Sequence, residues 1–253
     1  MPQPFAQSPY QVRFEWGVAG LERLAPADVV VVVDVLRFSS TVSDAVANGS
    51  SVVLADAVGW SANGAAVVAA ADALMGRSAD ASGKAGLVGI VRDASGETAS
   101  RGTASRGAGG VLIGCLRNAS AVADAVLAIQ NDRQQRTSVA VIAAGERTSD
   151  GGLRFAVEDQ LGAGAIISAL SDRGIDHTSP EAAAACESSR GLGRALRHLV
   201  SASGSGRELA DGVTVTARIE ASGLVPTSVG DAAELDAITA VPVLHEGRLV
   251  AFG

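Results

Sequence analysis

Cysteine is nearly absent from this chain: Cys115 and Cys186 are the only two in 253 residues. That excludes a disulfide framework and leaves no CxxC motif. The three histidines, His177, His198 and His245, lie far apart without metal-ligand spacing, so no structural zinc site is expected. Aromatic residues make up only 3% against 47% hydrophobic overall, so the core has to be built from Ala, Val, Leu and Ile. Positive charge is short as well: 20 Lys and Arg stand against 27 Asp and Glu, a formal net charge of -7. This balance argues against nucleic acid or an anionic membrane as partner. It still allows an anionic small molecule, because a local arginine cluster or a bound cation reverses the field inside a cleft. No apolar run approaches a membrane span, and the start, Met1-Pro2-Gln3-Pro4, lacks the features of a signal peptide. A soluble, reducing, cytoplasmic setting is the expectation. Neither GxxxxGK(S/T) nor a helix-opening GxGxxG is found, and there is no GxSxG, so nucleotide binding and a hydrolase elbow have little support.

What stands out instead is a run of five valines. Val29 to Val33 have no polar face and are stiff at χ1, which predicts a strand buried on both sides. The run ends at Asp34, then Arg37, then the hydroxyls Ser39, Ser40 and Thr41, with a helix-compatible stretch closing at Asn48-Gly49. Open α/β sheets place ligands where a buried strand delivers such groups into the turn before a helix. Asp34 suits a cation or a nucleophilic role, and Arg37 with the hydroxyls suits an oxyanion such as phosphate. The plainer alternative is a strand-ending Asp34, a surface Arg37 and a helix cap at Ser39 or Ser40. The stretch alone leaves both open.

Along the chain, residues 11–16 alternate as a half-exposed or edge strand, and 17–24 suit a short helix or turn. A short strand is expected at 51–55 and a helix at 61–75 packed on the sheet. Residues 78–110 are dense in Gly, Ser, Ala and Thr; only 86–91 resemble a strand, and 100–110 suit a mobile loop. Strands at 110–115 and 138–144 again deliver polar groups at their ends, Arg117 and Asn118 after the first, Glu146 and Arg147 after the second. A turn at 151–155 leads to a helix at 156–170 with Glu158 and Asp159 in its first turn. Further on come one helix over 180–202, a strand at 213–216, an acidic helix near 231–236 and strands at 240–244 and 249–252. No linker divides the chain, so a single domain over 1–253 is expected.

Carboxylates without zinc ligands suit a hard cation such as magnesium, which takes one or two carboxylates plus substrate phosphate. Arginines supply bidentate recognition of a further anionic group. Each feature also has a dull reading. Glu158 and Asp159 are favoured in a first helical turn by the macrodipole alone. Arg117-Asn118 suits a helix cap with a solvated charge, and Glu146-Arg147 a surface turn pair worth almost nothing.

The order of these motifs is informative. Val32-Val33-Asp34-Val35-Leu36-Arg37-Phe38-Ser39-Ser40-Thr41 with Ala47-Asn48-Gly49-Ser50 resembles the opening motif of the 2-phosphosulfolactate phosphatase (ComB-like) family. Gly114-Cys115-Leu116-Arg117-Asn118-Ala119 is similar to its second signature, in the form of the actinobacterial branch. The stretches 141–147 and 158–165 look like the third, and 205–209, 233–236 and 241–244 like its C-terminal pattern. The resemblance implies a three-layer α/β/α fold with a mostly parallel or mixed sheet, and magnesium-dependent removal of phosphate from a small sulfonated phosphoester. On it, Asp34 is a metal ligand or phosphoryl acceptor, and Glu158 or Asp159 completes the metal site or positions water. Arg37, Ser39, Ser40 and Thr41 hold phosphate, while Arg117, Asn118 and Arg147 bind the remaining acidic groups. Glu146 joins the catalytic set, and a homodimer is compatible with the resemblance. The middle segment departs from it: the Gly-Asn-Ser-Pro or Ser-Leu-Ser-Pro element is missing between Gly76 and Gly110. Asp93-Ala94-Ser95-Gly96-Glu97-Thr98 stands where an Asn-Gly-Thr or Asn-Gly-Ser loop belongs, adding the Glu97 carboxylate. Two outcomes stay open, a pocket for something less anionic or a ligand-binding protein that has lost the chemistry.

Overall fold

The computed structural model describes residues 3–82, 110–211 and 214–253. The chain begins with β1 (Val12–Trp16), α1 (Gly17–Arg23), β2 (Val29–Val33), α2 (Phe38–Ala47), β3 (Val52–Val53), α3 (Leu54–Val58) and α4 (Gly64–Ser82). It resumes with β4 (Gly110–Gly114), α5 (Ala119–Arg133), β5 (Val139–Ala143), β6 (Glu146–Arg147), β7 (Leu153–Arg154) and α6 (Val157–Asp172). Then come α7 (Pro180–Leu192), α8 (Leu196–Ala202), α9 (Gly204–Ala210), α10 (Thr214–Ala221), α11 (Val229–Ala232), β8 (Pro242–His245) and β9 (Arg248–Ala251). The strand expected at 86–91 and the loop at 100–110, up to its last residue, lie outside the described residues.

The valine run forms the middle of a seven-stranded sheet ordered β1-β5-β2-β4-β8-β9-β3. β1, β5, β2 and β4 run parallel, with Val31 level with Leu112 on one side and Val141 on the other. β8, β9 and β3 continue the sheet antiparallel, so it is mixed. Alternate valines feed opposite layers. Val29, Val31 and Val33 pack with Val122 and Val126 of α5 and Leu161, Ile166 and Leu170 of α6. Val30 and Val32 pack with Leu21 of α1, Val42 of α2 and Val68 of α4. Helices on both faces leave no residue of β2 facing water, which is why the run carries no polar residue. The fold is thus the three-layer α/β/α arrangement that the resemblance implied.

Several local expectations change. The helix expected over 180–202 is broken by a 3-10 turn, Gly193–Ala195, where Gly191 and Gly193 weaken it. Of the strand expected at 213–216, the described residues 214–216 are helical: α10 starts at Thr214, and its buried Ile219 joins the layer of Val30 and Val32, so packing overrides propensity. Residues 153–154, expected as turn, pair with β6 instead. The acidic helix near 231–236 is a single turn, α11.

α6 and α7 approach closely enough that a Cβ at Gly164 would lie 2.0 Å from the Ala185 carbonyl oxygen. Gly164→Ala should therefore destabilise the fold by about 1–3 kcal/mol. Gly191, with open space around it, should tolerate Ala with a gain of about 0.4–1 kcal/mol. Chemical denaturation of the two variants checks both signs.

Candidate active site

The ends of β2 and β5 lie side by side, and the segments leaving them open on one cleft of about 220 Å³. Asp34, Arg37, Glu146 and Arg147 line it, joined by Ser205 and Glu208 of α9. Asp34 thus stands with Glu146 in a single site although 112 positions separate them in sequence. Trp60, Ser61 and Asn63, just before α4, close another side.

Asp34 is buried and fixed by backbone donors. Its Oδ1 accepts from Phe38 N at 3.3 Å and its Oδ2 from Gly64 N at 3.0 Å. Residue 64 has to be glycine here, since a Cβ would sit 2.6 Å from Asp34 Oδ2. Despite those bonds, burial pushes the Asp34 carboxyl up to about 7, with Glu146 and Glu158 adding to the rise. Arg37 reaches Thr216 Oγ1 of α10 with Nη1 at 3.2 Å, while its buried Nε has no hydrogen-bond partner among the described residues. Burial lowers the guanidinium from its ordinary value, against the opposing pull of Glu220. An orphaned charged donor beside a cleft is costly unless an acceptor arrives, which suits an oxyanion.

Glu146 and Glu158 meet at Ser205. The Ser205 hydroxyl contacts Glu146 Oε1 at 2.7 Å and also Glu158 Oε1. One hydroxyl has one proton, so only one of these carboxylates can accept it. Glu146 is pushed above the usual carboxylate range, first by burial and also by Glu158 and Glu208. Ser205 was not among the residues expected at the site. Its placement depends on the tight corner between α8 and α9, where Ser203 Oγ accepts from Gly206 N at 3.0 Å.

Other expected site residues turn elsewhere. Ser39 Oγ accepts from Asp34 N at 2.9 Å and Ser40 Oγ donates to the Val35 carbonyl at 2.8 Å. Thr41 Oγ1 accepts from Thr227 N. These buried hydroxyls bond within the protein, Ser39 and Ser40 to the β2–α2 turn and Thr41 to the C-terminal segment, and do not line the cleft. Arg117 is not a solvated charge: it pairs with Asp44 at 2.9 Å and donates to the Asp231 carbonyl at 2.6 Å. Asn118 accepts from Cys115 N and donates to the Ile113 and Ala240 carbonyls. The end of β4 is thereby committed to holding the C-terminal segment, and neither residue lines the cleft. Asp159, expected as a metal ligand, accepts from Val35 N at 2.7 Å and Gly145 N at 2.9 Å. Both of its oxygens face backbone. Burial, with Asp34 and Glu158 nearby, holds its carboxyl well above the ordinary range.

Among the described residues no three His, Cys, Asp or Glu side chains are preassembled as a metal site. The donor chemistry nevertheless fits a hard dication. Asp34, Glu146 and Glu158 are oxygen donors; burial first and mutual repulsion second raise the first two, and a cation would relieve the repulsion. In the metal-free protein the raised Asp34 carboxyl has a pH signature. Asp34 binds its proton more tightly folded (about 7) than at the ordinary value of 3.8. Its contribution is therefore fully present below pH about 4 and lost as pH rises to about 7, by up to about 1.4 kcal/mol per unit. Chelator-treated protein unfolded by denaturant across this window should lose stability, and Asp34→Asn should flatten the slope. An unchanged slope in the variant would show that Asp34 is not the titrating group.

Comparison with known proteins adds the family. A family model described as 2-phosphosulpholactate phosphatase matches residues 95–247. That stretch includes Glu146, Glu158, Asp159 and Ser205 and begins after Asp34 and Arg37. No curated protein matches the chain. With more than half of the 253 residues matched, and an α/β sheet flanked by helices beneath them, the chain belongs to the 2-phosphosulfolactate phosphatase family.

Proposed function

We propose that the protein is a magnesium-dependent phosphatase acting on a small acidic phosphoester, with 2-phospho-3-sulfolactate, split to 3-sulfolactate and phosphate, as the substrate the family suggests. The observation that carries this reading is the buried Arg37 Nε, without a partner among the described residues, beside Asp34 in the cleft. Arg37 and the more exposed Arg147 receive phosphoryl oxygens, and the Thr216 contact holds the Arg37 fork in place. Glu146, half-buried and raised, is placed to take a proton from the attacking water as the P–O bond to the hydroxy acid breaks. Asp34 and Glu158 would hold the magnesium ion, which when bound supplies charge neutralisation and polarises a phosphoryl oxygen. Ser205 keeps Glu146 and Glu158 facing one another.

Phosphate release from 2-phosphosulfolactate and other small phosphoesters, with magnesium and with chelator, tests the reading. Asp34→Asn should lower metal-dependent turnover roughly a thousandfold, as expected when several kcal/mol of charge stabilisation is lost. Arg37→Lys keeps the charge but loses Nε, and should raise KM about tenfold with a smaller effect on kcat. Full turnover in Asp34→Asn, or no metal dependence in the parent protein, would overturn it.

A further inference from the structure

A second cavity adjoins the cleft. It has a volume of about 150 Å³ and opens between the start of α1 and the β6–β7 hairpin. Asn63, Glu146 and Arg147 belong to both walls. Away from that shared wall the lining is apolar: Trp16, Val18, Ala19, Val67, Ala144 and Leu153. Leu153 is 52% exposed and leans over two glycines of left-handed backbone. A Cβ at Gly17 would come within 3.4 Å of its methyls and one at Gly145 within 2.8 Å, so the glycines leave room for this leucine. Phe155 packs against Trp16 at a tilt of 48° with ring centroids 5.1 Å apart and ties the hairpin to β1.

The charge inventory separates the two compartments. The cleft sets Asp34, Glu146 and Glu208 against Arg37 and Arg147. Among the described residues the annex adds no other cation: Arg147 is the one positive residue that lines it, and Glu146 stands beside it. A sulfonate directed into the annex would leave water for an apolar wall on which the described residues offer no unshared positive charge. An apolar group there would bury its surface against Trp16, Val18 and Leu153, and an apolar cavity of about this size holds a benzene-sized group.

We propose that the annex is a specificity pocket for an apolar substituent, so that this chain prefers phosphoesters of 2-hydroxy acids with a small aliphatic or aromatic side group over the sulfonated one. The proposal rests on the phosphatase reading of the adjoining cleft, and deepens it by naming the substrate class.

Two esters that differ only at C3 test it, 2-phospho-3-phenyllactate and 2-phospho-3-sulfolactate, with 2-phosphoglycolate as a reference too short to enter the annex. The phenyl ester should show a kcat/KM at least about tenfold above the sulfonated one. Leu153→Lys, at an exposed position, should reduce that ratio about tenfold when each ester is measured relative to 2-phosphoglycolate in the same variant. Equal or faster hydrolysis of the sulfonated ester, or a ratio indifferent to Leu153→Lys, overturns the proposal. If no ester is hydrolysed, the phosphatase reading falls, and calorimetric binding of the same two esters still decides. Tighter binding of the phenyl ester that weakens in Leu153→Lys supports the annex. Equal binding, tighter binding of the sulfonated ester, or no binding of either rejects it.

Discussion

Two strand ends are tied to one carboxylate. Asp159 offers one oxygen to Val35 N just past β2 and the other to Gly145 N just past β5, so neighbouring parallel strands finish against a common anchor. Its position in the first turn of α6 is one that favours negative charge. The preceding residue, Glu158, is thereby aimed at Ser205 and Glu146. The shape of the cleft depends on this clamp, because it sets how far Asp34 and Glu146 diverge as their segments leave the sheet. The arrangement buries Asp159 close to Asp34, and burial first, then the Asp34 charge, raises the proton affinity of Asp159.

Cations are distributed unequally around this anionic centre. Arg117 is taken by Asp44 and the Asp231 carbonyl, and Arg13 by backbone carbonyls at Tyr10, Ala25 and Pro26. The cleft itself is faced by Arg37 and Arg147 against a larger number of carboxylates. Such a site discriminates by charge as well as by shape, since every further acidic group on a ligand needs a counter-charge that these two arginines already share.

Much of this was legible in the sequence for one reason: a strand buried on both faces announces itself, and the residues just after it must lie at the sheet's end. Val29–Val33 and Val139–Ala143 were recognisable on that ground, and Asp34 and Glu146 came with them. The hydroxyls did not, because a Ser beside a carboxylate serves the backbone as readily as a ligand, and only the turn geometry shows that Ser39 and Ser40 do the former. Arg117 reads as solvated in the sequence because its partners, Asp44 and Asp231, come from distant parts of the chain. Ser205 lies in a Ser-Gly repeat that signals a helix break; nothing local reveals that the corner turns its hydroxyl onto two glutamates. The β-branched residues 214–216 show propensity losing to the burial of Ile219.

The sheet also constrains the order in which the molecule can be assembled. β3, near the start of the chain, pairs with β9, near its end, with Val52 opposite Leu249. β8 meanwhile lies against β4 at Leu112 and Val243. A ribosome has therefore to deliver residues 242–245, more than a hundred positions after β4, before the β4 edge of the parallel strands is covered. Until then β4 presents unpaired N–H and C=O groups to other chains. Non-local closure of this kind is slow, so the nascent protein is expected to spend its most aggregation-prone interval waiting for its last two strands.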